Sequence, residues 1–348
     1  VNIPPGILVT LAAVTLIDFD KPEPAIMKRF DWWGLTAMAI FLGSLEYFLE
    51  EGPLKDWLES DVVLACGISA LVFGTLFFWR AFTAPQPIVD LTAFKDRNFA
   101  TGSIFSFVVG IGLYGLTYLY PVFLSRVRGY SAMMIGETMF VTGISMFLTA
   151  PIAGKMSRVV DPRLMMGGGF MGFALGTWLA SGVTHDWDFW QLLLPQILRG
   201  VSIMISMVPV TNIALGTLPP ERIKNASGLF NLTRNLGGAV GLAIINTVMN
   251  ARMDLHLQRL HEHVAWGRTA AEETLAGLTE RFSSLGSTAD AAALRQLSLL
   301  VRREAMVMAI ADVFFLLTFL FLLIVAVVPF MKRPPPMGGP AGGTGGGH

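Results

Sequence analysis

Apolar residues run along this chain in long blocks, and most of the charge sits in the segments between them. A helix needs ~20 mostly apolar residues to cross the hydrocarbon core of a bilayer. The blocks predict spans over residues 33–50, 62–80, 99–123, 133–154, 164–183, 189–217, 226–250 and 305–330, with a short one over 3–17. That is eight full spans and one partial one. The strongest, 99–123, holds no charge, and the weakest, 33–50, contains Glu46. Between the last two spans, residues 251–303 repeat apolar positions at spacings of three and four, as in "AEETLAGLTERF" and "AAALRQLSLLVRRE". One or two amphipathic helices outside the membrane are expected there. The end of the chain, 331–348, is rich in Gly and Pro and reads as a flexible tail.

Composition narrows the class. Hydrophobic residues make up 53% and charged residues only 14%, where soluble domains carry ~25% charge. A soluble core of this size cannot hide so much apolar surface; lipid can. The formal net charge is zero, so no nucleic-acid partner is indicated. The single cysteine, Cys66, lies in an apolar run and supports neither a disulfide nor a zinc framework. His256, His261 and His263 lack a companion Cys or carboxylate at a metal-ligand spacing and read as part of a solvated loop. No phosphate loop is present, and Gly167, Gly168 and Gly169 open a span rather than a strand–turn–helix, so no nucleotide or other cofactor is called for. No Ser/His/Asp grouping suggests an enzyme.

Basic residues orient the spans, because short cytoplasmic loops carry the excess of Lys and Arg. One set of loops holds Lys21, Lys28 and Arg29; Arg80, Lys95 and Arg97; Lys155, Arg158 and Arg163; Arg222, Lys224 and Arg234; and, in the tail, Lys332 and Arg333. The alternating loops, the long one apart, hold only Lys55, Arg126 and Arg128. The first set, and with it the C-terminus, is expected in the cytoplasm.

Charges inside the spans need a reason, since each costs ~2.5–3.5 kcal/mol on insertion scales. Arg199 lies about ten residues from the outer end of its span, ~15 Å deep at the helical rise. It is either a cavity residue that senses substrate or proton charge, or half of a structural ion pair. Asp312 lies ~10–12 Å into the last span by the same rise, so a pair with Arg199 is one arrangement to test. Glu137 and Glu46 fall near outer ends of spans and read as interfacial. A carboxylate in a partly wet cavity can carry a proton, which makes Glu137 and Asp312 candidates for a proton pathway. Tyr114 and Tyr118, four apart, share a helix face and suit either a flat apolar ligand or plain packing. Arg234 stands about two turns inside its span, with Asn231 one turn before it, and the two read as a cytoplasmic latch or as positive-inside packing. Gly237 and Gly241 form a small-xxx-small surface for close helix approach.

Several stretches, in order, resemble one family. "NASGLFNLTRNLGGAVGLAIINTV" at 225–248 resembles the penultimate helix of the fourteen-helix drug/proton antiporters of the major facilitator superfamily, the EmrB/QacA type. "NIPPG" at 2–6 resembles the end of that family's sixth helix, and "LEEGPLKDW" at 49–57 the motif closing its seventh. "MFVTGISMFLTAPIAGKMSRVVDPR" at 139–163 resembles its tenth helix and following basic loop, and "PQILRGVSIMISMVPVTNIALGTLP" at 195–219 its twelfth. The loop after Gly154 departs from the superfamily pattern: its acid comes late, as Asp161.

The resemblance implies an all-α polytopic membrane protein of the bacterial inner membrane. It implies the end of the N-terminal bundle's last helix at 1–17, and two inserted helices with a cytoplasmic loop over 18–98. A C-terminal six-helix bundle over 99–330 would carry the extracytoplasmic segment 251–303. The rest of the N-terminal bundle is missing, so the chain is expected to be a fragment. The activity implied is proton-coupled efflux of small hydrophobic or amphiphilic compounds by alternating access. A periplasmic adaptor (membrane fusion) protein is a further expected partner besides lipid, substrate and protons. A non-transporting scaffold or adaptor-docking subunit, and an importer of the same fold, remain the alternatives.

Overall fold

A computed structural model describes residues 3–16, 31–85, 87–264 and 268–330. Lys21, Lys28, Arg29 and the tail 331–348 with Lys332 and Arg333 lie outside the described residues. Among the described residues ten α-helices follow one another: α1 (Ile3–Leu16), α2 (Trp32–Glu51), α3 (Asp61–Thr83), α4 (Arg97–Arg126), α5 (Ala132–Met156), α6 (Pro162–Ala180), α7 (Phe189–Leu215), α8 (Pro220–His263), α9 (Thr269–Arg281) and α10 (Ala289–Val327). The described residues contain no strand, so the backbone along each span pairs mainly within its own helix, as lipid requires, with interruptions at Pro121, Pro151, Pro195 and Pro209.

Among the described residues six helices are long and apolar enough to cross a membrane by length and composition: α2, α3, α4, α5, α7 and α10. The other two blocks read as spans, α6 and α8, are diluted by glycine in one case and by Asn and Arg in the other. Both pack inside the same bundle. α4 packs on α8, α8 on α10, α10 on α6, α6 on α7, and α7 back on α4, with α5 against α7. α4 is the most enclosed: 67% of its apolar window is buried, against 22% for α3. Aromatic contacts bind the middle, with Phe173 stacked on Phe321 at 4.8 Å and Tyr120 against Phe314 at 5.3 Å between ring centres. Outside, the polarity is reversed: Phe147, Trp190, Leu323 and Phe319 are all more than half exposed. In water these side chains would cost free energy; in lipid they are solvated.

The α4–α8 crossing explains two glycines. A Cβ on Gly237 would strike the carbonyl oxygen of Phe107, and one on Gly110 would strike the carbonyl oxygen of Arg234. The backbones therefore touch at two reciprocal points, which only glycine permits. Gly241 faces Ile111 across the same seam.

Helix starts are capped by acids. Asp31, Asp96, Asp161 and Asp188 accept from backbone N–H groups of α2, α4, α6 and α7. Capping gives Asp161 a structural task, which accounts for its late position after Gly154. α2 and α3 form a hairpin beside the bundle, tied at one end by the Arg80–Asp31 ion pair. At the other end, the turn after α2 docks on α8 through Asn250 Nδ2 donating to Pro53 O at 2.8 Å.

The segment 251–303 differs from a solvated loop carrying separate helices. α8 runs on unbroken to His263, and α10 begins at Ala289, well before the expected span at 305. α9 packs on the early part of α10. The amphipathic spacing was read correctly as helical. Its continuity with the flanking spans was not, because hydropathy drops where a helix leaves lipid while the backbone ladder continues.

Candidate substrate and proton site

Arg199 stands in α7 eleven residues after the cap Asp188, ~16 Å along the axis. It is 3% exposed. Its Nη2 donates to Thr117 Oγ1 and, at 3.3 Å, to Leu113 O, both on α4. The guanidinium also sits 5.8 Å from the centre of the Tyr120 ring. Nε and Nη1 have no partner. One turn before, Gln196 is fully buried, accepting from Thr142 of α5. α4, α5 and α7 thus enclose a small cluster of polar side chains within an apolar bundle.

Asp312 is elsewhere. Its Oδ2 lies 2.7 Å from His256 Nε2 and 3.5 Å from Arg252 Nε. The Arg199–Asp312 pair is therefore not formed. The solvated-loop reading of His256 is also overturned: the residue is 7% exposed, because α8 continues far enough to lay it against α10. Glu137 is exposed in the second turn of α5 and makes no ion pair among the described residues.

Tyr114 and Tyr118 both reach α8. Tyr114 Oη donates to Asn235 Oδ1 at 3.0 Å, and Tyr118 Oη to Asn246 Oδ1 at 2.6 Å. The two asparagines were missed as partners. Their spacing of eleven, about three helical turns, was the available signal that they share a face. Beside Tyr114 opens a cavity of about 380 Å³ between α2 and α8, lined in part by Glu46, Glu50, Asn235, Leu236 and Leu242. Glu46 therefore faces a groove with an aromatic and an amide.

Asn231 is exposed, and Arg234 is half-buried. α8 begins at Pro220, so Arg234 is fourteen residues in, ~21 Å, rather than two turns. Its guanidinium leans over the Phe230 ring, 5.3 Å from the centre, one turn nearer the basic end of the helix. Reaching back this way lets a long side chain keep its charge toward the interface.

At the opposite end from the basic loops, Asp188 gathers Tyr130, which donates to it, and Arg128 at 3.7 Å. The Tyr130 hydroxyl, the Phe189 N–H and the Arg128 charge hold the Asp188 carboxyl below its usual range against a smaller desolvation effect. Tyr130 is pushed up in turn, first by that bond.

A chain whose described residues are helical, with an apolar surface and a buried polar cluster, can be set beside known proteins. The family model described as Major Facilitator Superfamily matches residues 8–242. The chain belongs to this superfamily. The Colistin resistance protein EmrB of Acinetobacter baumannii is 35% identical over 96% of this chain and 65% of its own length. The Fatty acid resistance protein FarB of Neisseria gonorrhoeae and the Multidrug export protein EmrB of Escherichia coli K12 are each 29% identical over 100% of the chain and 66% of their length. The EmrB-type resemblance read from the sequence agrees with these relatives. The chain spans just under two thirds of their length. A looser likeness, at a TM-score of 0.44 and 18% identity, covers 80% of this chain and 62% of an inward-facing bacterial homolog of the lysosomal transporter Spinster. As a member of this superfamily with six strongly apolar helices, the chain is a multi-pass membrane protein whose first partner is lipid.

Proposed function

We propose that this chain is the larger part of a proton-coupled exporter of hydrophobic or amphiphilic compounds. The observation that carries this reading is the burial of Arg199: a cation kept ~16 Å deep in a bundle whose outside is apolar. Superfamily membership and relatives named for multidrug export and resistance support it. In this reading Arg199, Tyr114 and Tyr118 face the substrate path. Asp312, bonded to His256, and the exposed Glu137 exchange protons near the far side. Asn231 and Arg234 form the gate at the basic side, which is cytoplasmic together with the C-terminus. Gly237 and Gly241 keep α4 and α8 close enough to move as one body. Alternating access needs two bundles rocking about a midplane site, so the working unit includes more chain than this.

The helices that project beyond the bundle on the far side carry exposed Leu285, Leu294 and Leu299. That surface supports an adaptor protein as a further partner. Replacing Leu285, Leu294 and Leu299 together by Ser tests it: dye export into inverted vesicles is expected to persist while adaptor capture is lost.

The main test uses the full-length protein in inverted membrane vesicles with an imposed pH gradient. Uptake of a lipophilic dye that collapses when the gradient is dissipated supports proton-coupled export. Dye movement indifferent to the gradient, or in the opposite direction, refutes it.

A further inference from the structure

Two charges stand at the far edge of the lipid-facing helices α8 and α10. Residues 235–251 and 313–330 carry no charge. At the helical rise these runs are ~25 and ~27 Å long, close to the ~30 Å hydrocarbon core of a bilayer. Arg252 and Asp312 are the first charges beyond them on the side away from the basic loops. Both therefore lie at the depth of lipid headgroups. They also lie together, with Arg252 Nε 3.5 Å from Asp312 Oδ2.

The pair leaves bonding capacity unused. His256, buried on α8, places Nε2 2.7 Å from the same Oδ2 and fixes the carboxylate. Asp312 Oδ1 and the two Nη groups of Arg252 make no hydrogen bond to another described residue. The Arg252 side chain is 49% exposed and that of Asp312 35%. A cationic fork and an anionic acceptor thus face outward side by side.

Below the pair runs a groove of about 430 Å³ between the two helices, lined by Gly241, Ile244 and Ile245 of α8 and Leu316, Leu320 and Leu323 of α10 among others. No charged or polar side chain lines it. Asp312, Leu316 and Leu320 follow at steps of four, and Gly241, Ile245 and Arg252 at steps of four and seven. Pair and groove therefore share one face of each helix. Leu316 lies ~6 Å and Leu323 ~16 Å below Asp312, the depth of one bilayer leaflet. Ile244, Leu316 and Leu323 are exposed, so the groove opens sideways, toward lipid.

We infer that this face of α8 and α10 binds one phospholipid of the far leaflet whose head carries both a phosphate and a primary ammonium. The phosphate accepts from the Arg252 Nη groups, the ammonium donates to Asp312 Oδ1, and one acyl chain lies in the groove. A zwitterion complements a neutral ion pair in both halves. A head with phosphate alone sets its charge against Asp312. The chain in the groove gains packing that a flat helix face does not offer. The site requires a membrane-embedded chain, not transport.

Native mass spectrometry of the full-length protein in a neutral maltoside detergent tests it. Three dioleoyl probes differ only in the head: phosphatidylethanolamine, phosphatidylcholine and phosphatidylglycerol. The wild type is expected to hold one phosphatidylethanolamine about tenfold more tightly than phosphatidylglycerol. Phosphatidylcholine should fall between, because its methylated nitrogen keeps the charge and lacks N–H donors. R252Q is expected to weaken phosphatidylethanolamine about tenfold, and R252K about threefold, since an ammonium lacks the fork. D312N should erase the preference over phosphatidylglycerol. I244W, which fills the groove, should weaken all three probes alike. Equal binding of the three heads by the wild type, R252Q that binds as the wild type does, or I244W without effect overturns the inference. So does a lipid-free dimer, which gives the groove to a second copy, or displacement of the lipid by the exported dye. If D312N does not fold, R252K and I244W decide: the head preference must shrink in the first and persist in the second. Protein that discriminates the heads yet moves no dye in vesicles sinks the export reading alone. Gradient-driven export by head-blind wild type sinks this site alone.

Discussion

Asp188 shows how much one side chain can organise at the edge of a membrane. It caps α7, completes a reciprocal capping box with Gln191, and accepts from Tyr130. An N-cap acid replaced by Ala typically costs ~1 kcal/mol, and by Asn much less. Asp188→Ala is therefore expected to lower the melting temperature in detergent at pH 7, with Asp188→Asn, which keeps an acceptor but no charge, falling between it and the wild type. The pH dependence follows from the lowered carboxyl. A depressed pKa means the folded state favours the ionised form, so this stabilisation is complete above the ordinary carboxylate pKa. It fades as pH falls through the lower folded value. The gap between wild type and Asp188→Ala should hold from pH 8 to pH 5 and narrow in stronger acid. Melting curves across that range check it, and a gap that widens in acid contradicts the assignment.

Helix pairs are set by contacts smaller than a methyl group. α4 and α8 meet backbone to backbone at Gly110 and Gly237, with the carbonyls of Arg234 and Phe107 as the obstacles. A backbone obstacle cannot turn aside as a flexible side chain can, so Gly110→Val and Gly237→Val must force the helices apart. Overpacking of this kind costs ~1–3 kcal/mol, and an obstacle of main chain places these variants toward the upper end. Both should show lower yields of monodisperse protein and a melting point several degrees down. Gly143→Ala is the control, since nothing lies within 4 Å of its Cβ position. If the valine variants melt with the control, the crossing is looser than described.

The molecule as a whole is apolar inside and out: an aromatic and aliphatic core with a small polar cluster within, and large apolar side chains without. Its orientation rests on the loop charges, and that is open to a direct test. In a Cys66→Ser background, Val159→Cys in a basic loop (89% exposed) and Asp186→Cys in the opposite turn (side chain 79% exposed) lie on different sides. A membrane-impermeant maleimide added to intact cells should label Asp186→Cys and spare Val159→Cys, with the reverse in inverted vesicles. Labelling of both from one side would break the span count.

Hydropathy and spacing were enough to locate the helices of the bundle, since burial in lipid acts on each helix separately and leaves its mark on consecutive residues. The same local signal singled out Arg199, Asp312, Glu137 and the Gly237/Gly241 pair as out of place or unusually small. What hydropathy could not carry was partnership. That Tyr114 meets Asn235 and Tyr118 meets Asn246 depends on the offset between α4 and α8. That Asp312 pairs with His256 rather than Arg199 depends on α8 continuing as a helix past its apolar block. That two Arg199 donors stay free depends on which helices crowd α7. Each of these joins residues more than fifty positions apart or rests on several helices at once. One-dimensional patterns report what a segment prefers as its solvent, and only the packed bundle decides which groups meet.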